Sequence, residues 1–180
     1  MVTRKALGES VTLKLVRGSA TIEVDVMLKP EIGWISNQAD GLNYVIIGGL
    51  VAVPLSTKLE DEIYRKRLYS AYGTLHDLRA LDYKDMGQQA LIITTVLAHP
   101  INIDLERFEG KRIKAINGKA VTNLSDLAAS FDGAMASAEF LEIGFYETDA
   151  KAVLETSLVK EAQPQILEQH LIPADRNSGM

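Results

Sequence analysis

Tyr44 to Leu55 reads YVIIGGLVAVPL. The run is apolar and rich in β-branched residues, is split by Gly48-Gly49 and meets proline at Pro54. It predicts a strand, a glycine kink and a second strand. Branched side chains suit a pleated, half-buried surface, and proline cannot donate to a ladder. It is also the longest apolar run in the chain, well short of the roughly 20 residues a helix needs to cross a bilayer. No membrane span is therefore expected.

Working outward, Val11 to Leu28 (VTLKLVRGSATIEVDVML) alternates apolar and polar residues on both sides of Arg17-Gly18-Ser19. That is the pattern of a β-hairpin, closed by Pro30. Glu31 to Gly41 is a polar connector. After the central run, Lys58 to Leu81 becomes charged, with Leu59, Ile63, Tyr64, Leu68, Tyr72 and Leu75 near helical spacing. It predicts one or two amphipathic helices broken near Gly73. Ala90 to Ala98 reads as a buried strand ended by His99-Pro100. Ile113 to Val121 (IKAINGKAV) is a short extended stretch turning at Asn117-Gly118, a strong hairpin signal. LSDLAASF then predicts a helix with Leu124, Leu127, Ala128 and Phe131 on one face, capped by Asn123 or Ser125. Phe140 to Leu158 reads as a second hairpin about Glu147 to Ala150. From Lys160 the composition is mixed, and after Pro173 the chain is expected to fray. The two hairpins resemble each other, as the end of one repeat followed by a whole unit would.

The chain has 180 residues, 19 basic against 24 acidic, a net charge of −5, 47% hydrophobic residues and no cysteine. This is the profile of a globular protein with a real core. It excludes a disulfide framework, a thiolate metal site and a cysteine nucleophile, and leaves the redox compartment open. The acidic balance argues against nucleic acid as a partner, since phosphates are bound by displacing counterions with Lys and Arg. MVTRKALGES at the start has neither an apolar signal core nor presequence character.

The catalytic inventory is thin. His76 falls on the charged insertion, where a solvated face explains it. His99 fits a turn residue. No HExxH, EF-hand or P-loop spacing occurs. Asn177-Ser178-Gly179 imitates part of a serine nucleophile loop, but Ser178 lacks the rigid turn, base and oxyanion hole that such a residue needs. No catalytic residue, metal site or cofactor is expected.

The order strand, glycine kink, strand, insertion, strand, Asn-Gly turn, short helix and hairpin resembles a PDZ domain in the permuted arrangement of the Deg/HtrA (protease Do-like) serine proteases. IKAINGKAVTNLSDLAASF is similar to a segment that recurs in that family. YVIIGGLVAVPLS resembles the start of the second PDZ domain in its plant-type members, as do AHPINID at Ala98 to Asp104 and ILEQHLIP at Ile166 to Pro173. Gly8 to Pro30 resembles the closing hairpin of a preceding PDZ domain. The resemblance implies a β-rich α+β fold, a PDZ-like partly open barrel with short helices. Its implied organisation is a first-domain hairpin at 1–30, a linker at 31–42 and a second PDZ-like domain at 43–173. A helical insertion at about 58–85 and a flexible tail at 174–180 complete it. It also implies a protease domain upstream, whose GNSGG motif is missing from this chain. The family's settings are plastid, mitochondrion or nucleus.

In a PDZ-type site a peptide adds as a strand to a sheet edge, and its carboxylate enters a nest of backbone N–H groups. The resemblance places that nest at Gly48, Gly49, Leu50 and Val51, and the pairing edge at Ala52 and Val53. It places the opposite wall at Leu124, Leu127, Ala128 and Phe131. The blander reading of Gly48-Gly49 is a bulge or tight corner in a β-rich core. Tyr64, Leu68 and Tyr72 are candidates for a subunit contact. The expected function is non-catalytic, the capture of peptide or protein segments, C-termini among them, with regulation of proteolysis. The alternative is an assembly module, a homo-oligomer, whose groove is filled by the chain's own C-terminal segment. An independent hydrolase is disfavoured, because no triad can be assembled.

Overall fold

The computed structural model describes residues 9–27, 43–56, 59 and 88–177. They fall in two compact units, Met1–Ile32 and Gly33–Met180.

The first unit contains the predicted hairpin. β1 (Ser10–Arg17) pairs antiparallel with β2 (Ala20–Met27) across Gly18-Ser19. Period-two alternation becomes two chemically distinct faces. Val11 stands opposite Val26, Leu13 opposite Val24 and Leu15 opposite Ile22. On the other face Thr12 Oγ1 donates to Asp25 at 2.6 Å, and Lys14 pairs with Glu23 at 3.2 Å.

Among its described residues the second unit has two sheets and two long α-helices. β3 (Val45–Ile47), β4 (Leu50–Pro54) and β5 (Leu91–Val96) form one sheet in the order β3-β4-β5. β6 (Ile113–Ile116), β7 (Lys119–Ala120), β8 (Phe140–Phe145) and β9 (Lys151–Glu155) form the other, in the order β7-β6-β8-β9. An antiparallel bridge between Ile92 and Arg112 joins β5 to the approach to β6, and Ile93 N–H donates to Lys111 O at 3.0 Å. The fold is α+β and strand-rich, as expected, and its sheets are open rather than closed into a barrel.

Two-residue hairpins with positive φ at both loop positions match the right-handed twist of the strands they join. Gly48 and Gly49, at φ 55° and 94°, make that turn between β3 and β4. Asn117 and Gly118, at 47° and 78°, make it between β6 and β7.

α1 (Leu124–Ser137) is capped by Asn123, whose Oδ1 accepts from Asp126 N–H at 2.8 Å. Its apolar face enters a core shared by both sheets, including Val45, Ile47, Leu50, Ile93, Ile116, Leu141 and Ile143. Phe108 and Phe145 stack there with centroids 4.4 Å apart.

The second hairpin is shorter than its hydrophobic pattern suggests. The chain leaves β9 at Glu155 and enters α2 (Thr156–Gln169), a helix that the sequence reading missed. Buried Thr156 anchors the change of direction by donating from Oγ1 to Ala138 O at 2.6 Å. Val159, Ala162 and Ile166 turn inward at helical spacing. Pro164 lies inside the helix, where it removes one N–H donor. α2 ends in a Schellman turn, with Ile172 N–H on Leu167 O at 2.9 Å and Leu171 N–H on Glu168 O at 3.1 Å. Leu171 takes the left-handed conformation that closes it, φ 55°. The chain then returns to the three-stranded sheet.

Ala174 to Asn177 do not fray as expected, but are bonded to the body of the unit. The predicted insertion at about 58–85, with Tyr64, Leu68 and Tyr72, lies outside the described residues apart from Leu59. So do the linker at 31–42 and Ser178.

Candidate functional site

β4 lies between β3 and β5, so it has no free edge along its paired length. Ala52 is paired with Val45 on one side and Ile93 on the other, and Val53 is paired with Ile92. The outer strand on this side of the sheet is β3, one strand away from the expected pairing edge.

The outer edge of β3 is occupied. Ile46 N–H donates to Asp175 O at 2.7 Å, and Val45 forms an antiparallel bridge with Arg176. Tyr44 OH donates to Ala174 O at 3.2 Å, and Asn177 Nδ2 donates to Asn43 Oδ1 at 2.7 Å. Ala174 to Asn177 thus lie along β3, held through an isolated antiparallel bridge. The side chain of Gln163, from α2, continues the coverage. Its Nε2 donates to Ile46 O at 2.7 Å, and its Oε1 accepts from Gly48 N–H at 2.9 Å.

The segment is also tied to α1, which packs against β3. The Arg176 guanidinium meets Asp132 in a two-pronged pair, Nη1 to Oδ2 at 2.9 Å and Nη2 to Oδ1 at 2.8 Å. Asp175 binds the same guanidinium from within the segment, at 3.1 Å to Nε and 3.0 Å to Nη2. The hydrogen bond from Arg176 holds the Asp132 carboxyl below the usual carboxylate range, against the opposing effect of partial burial. The same bonds push the guanidinium pKa up. The segment therefore has a backbone attachment on the sheet and a charged attachment on the helix.

The glycine pair is a packed corner. Gly48 and Gly49 are buried. A Cβ on Gly48 would sit 2.6 Å from Leu154 Cδ1, and one on Gly49 would sit 2.2 Å from Asn102 Nδ2 and 2.6 Å from Leu97 O. Buried Asn102 donates from Nδ2 to Gly48 O and to Leu97 O, both at 2.8 Å. With Gly48 N–H spent on Gln163, the expected carboxylate nest at Gly48, Gly49, Leu50 and Val51 has lost that donor. Leu124, Leu127, Ala128 and Phe131 share a helical face as expected, but it faces the core and all four are buried. Asp132, the next residue along the helix, is the one that reaches Arg176.

His99 sits at the turn ending β5, with Ile101 N–H on its Nδ1 at 3.4 Å, and His170 caps the end of α2. Among the described residues no group of three His, Asp or Glu side chains is placed to hold a metal ion, and no helix is long and apolar enough to cross a membrane.

Sequence reasoning missed Asn102, Asp132, Gln163 and Arg176. Asn102 falls in the AHPINID stretch that carried part of the family resemblance, so a signal was present there. The other three carry none, because their partners are remote in the chain.

A family model described as a PDZ domain matches residues 36–179. The chain is 29% identical over 187 residues to protease Do-like 2, chloroplastic, of Arabidopsis thaliana, covering 100% of this chain and 29% of that protein. It is 30% identical over 177 residues to protease Do-like 4, mitochondrial, covering 96% of this chain and 30% of that protein. It is 28% identical over 173 residues to the putative protease Do-like 12, mitochondrial, covering 95% and 30%. Both are again from Arabidopsis thaliana. The chain spans about 30% of the length of these curated relatives.

Proposed function

Since the chain belongs to the PDZ domain family, we propose that it is the protein-interaction region of a Deg/HtrA-type serine protease. In this reading β3 accepts extended segments by strand addition, and Ala174 to Asn177 hold the site closed until a partner displaces them. Main-chain hydrogen bonds supply affinity in such additions, and flanking side chains supply specificity. The observation that carries the reading is the bond from Ile46 N–H to Asp175 O, with the Arg176–Asp132 pair beside it. Displacement would regulate proteolysis by a domain elsewhere in the full protein. The chloroplastic and mitochondrial relatives favour a plastid or mitochondrion.

A tethered competitor acts at an effective concentration of the order of millimolar. An added peptide should therefore bind weakly to the wild-type chain and better once the tether is weakened. The test is titration of a labelled Leu171–Asn177 peptide into the wild-type chain and an Arg176→Ala chain, followed through the Ile46 amide resonance. The Arg176→Ala chain should bind more tightly, by up to about fivefold. Equal affinities with an unmoved Ile46 signal would sink the proposal.

The same occupied edge favours a second reading, an assembly module, because a segment that closes β3 in its own chain can close it in another copy. Light scattering across a concentration series separates the two. A monomer throughout removes assembly.

A further inference from the structure

The segment lying on β3 is itself a description of the ligand that this edge prefers. We propose that Asp132 is a specificity-determining residue. It selects an extended internal segment with an arginine at the position paired with Val45, and no free C-terminal carboxylate is required. This rests on the reading of β3 as the acceptor strand and names the class of partner that it accepts.

Three observations carry it. First, the register is fixed. Arg176 bridges Val45, and from that place its guanidinium reaches α1 and meets Asp132 through two nitrogens. A planar guanidinium matches a carboxylate prong for prong, whereas lysine offers a single point charge. Second, the Asp132 side chain is 58% exposed even with Arg176 in place, so removing the segment leaves an accessible carboxylate at the groove. The net charge of −5 favours the approach of a cationic segment. Third, the donor at the glycine corner is committed. Gln163 Oε1 takes Gly48 N–H, and its Nε2 takes Ile46 O. A peptide lying antiparallel on β3, as Ala174 to Asn177 do, carries its C-terminus past Tyr44 and Asn43, away from that corner, so its C-terminal anion gains nothing there. Asp175 adds a refinement. It braces the Arg176 guanidinium from the preceding position, so an acidic residue just before the arginine pre-orders it for Asp132.

The experiment uses the full chain with Arg176→Ala to weaken the internal competitor. Labelled LIPADRN peptides are titrated by fluorescence anisotropy, with Arg, Lys or Glu at the arginine position and with free or amidated C-termini. The arginine peptide should bind about tenfold more tightly than the glutamate peptide, and more tightly than the lysine peptide. Free and amidated forms should match. Adding Asp132→Arg should reverse the ranking, and adding Asp132→Asn should flatten it. The Asn variant keeps the test valid if the charge reversal disturbs folding. Peptides that bind with a ranking indifferent to residue 132 overturn the specificity role and leave strand addition standing. A free C-terminus worth tenfold overturns the internal-segment part. No binding by any peptide overturns both this inference and the strand-addition reading.

Discussion

Asn102 and Gly49 interlock. The Asn102 amide nitrogen lies where a Cβ on Gly49 would be, at 2.2 Å, and from there donates to Gly48 O and Leu97 O. This buried side chain joins the glycine corner to the end of β5, beside the backbone bond from Leu97 N–H to Gly49 O at 2.8 Å.

Replacing either member should be costly, and the two costs should overlap. Asn102→Ala strands two carbonyl oxygens and is expected to lose about 1–3 kcal/mol. Gly49→Ala forces a side chain into positive φ and against Leu97 O, and should lose about 2–4 kcal/mol. Urea unfolding of the single and double variants is the check. A double-variant cost equal to the sum of the singles would show that no lock is shared.

The charged attachment should respond to acid. The folded pKa of Asp132 lies below its ordinary value of 3.8. Its contribution is therefore complete above that value and is lost as pH falls through the folded-state pKa. Both partners are partly exposed, so the contribution is about 1 kcal/mol or less and is screened by salt. Amide exchange at Ile46, corrected for intrinsic rates, should accelerate below about pH 4 relative to the Ala52 amide, which lies within β4. Asp132→Asn should abolish the step. A step that survives in that variant would assign it to another group.

Leu171 adopts φ 55° and is 91% exposed. A non-glycine residue in the left-handed region costs about 1–2 kcal/mol, and here the side chain returns little through burial. Leu171→Gly should therefore raise stability by about 0.5–1 kcal/mol, after the extra chain entropy of glycine is subtracted. Thermal melting would show it as a higher Tm. An unchanged or lower Tm would mean that the turn is not strained.

The sequence was most readable where structure is local. Alternation in Val11 to Leu28, the Gly48-Gly49 and Asn117-Gly118 turns and the Asn123 cap each depend on residues a few positions apart. α2 was hidden because its inward residues are few, and because Pro164 reads as a helix breaker although its neighbours tolerate it. The placement of the edge at Ala52 and Val53 failed for a different reason. Which side of a strand is free depends on its partners, and β5 joins β4 from some forty residues further along, as the bond from Thr94 Oγ1 to Val51 O shows. The segment Ala174 to Asn177 comes from further still, about 130 residues from Tyr44. No local pattern announces such a pairing.

An unpaired strand edge is also a template for misassembly, because any exposed row of N–H and C=O groups will accept another chain. β3 is short and strongly apolar, so bared it would be a nucleus for aggregation. Ala174 to Asn177 and Gln163 cover that row within the chain itself. Variants that loosen them should therefore be watched for precipitation as much as for gain of binding, since recognition and loss of solubility would begin at the same three residues.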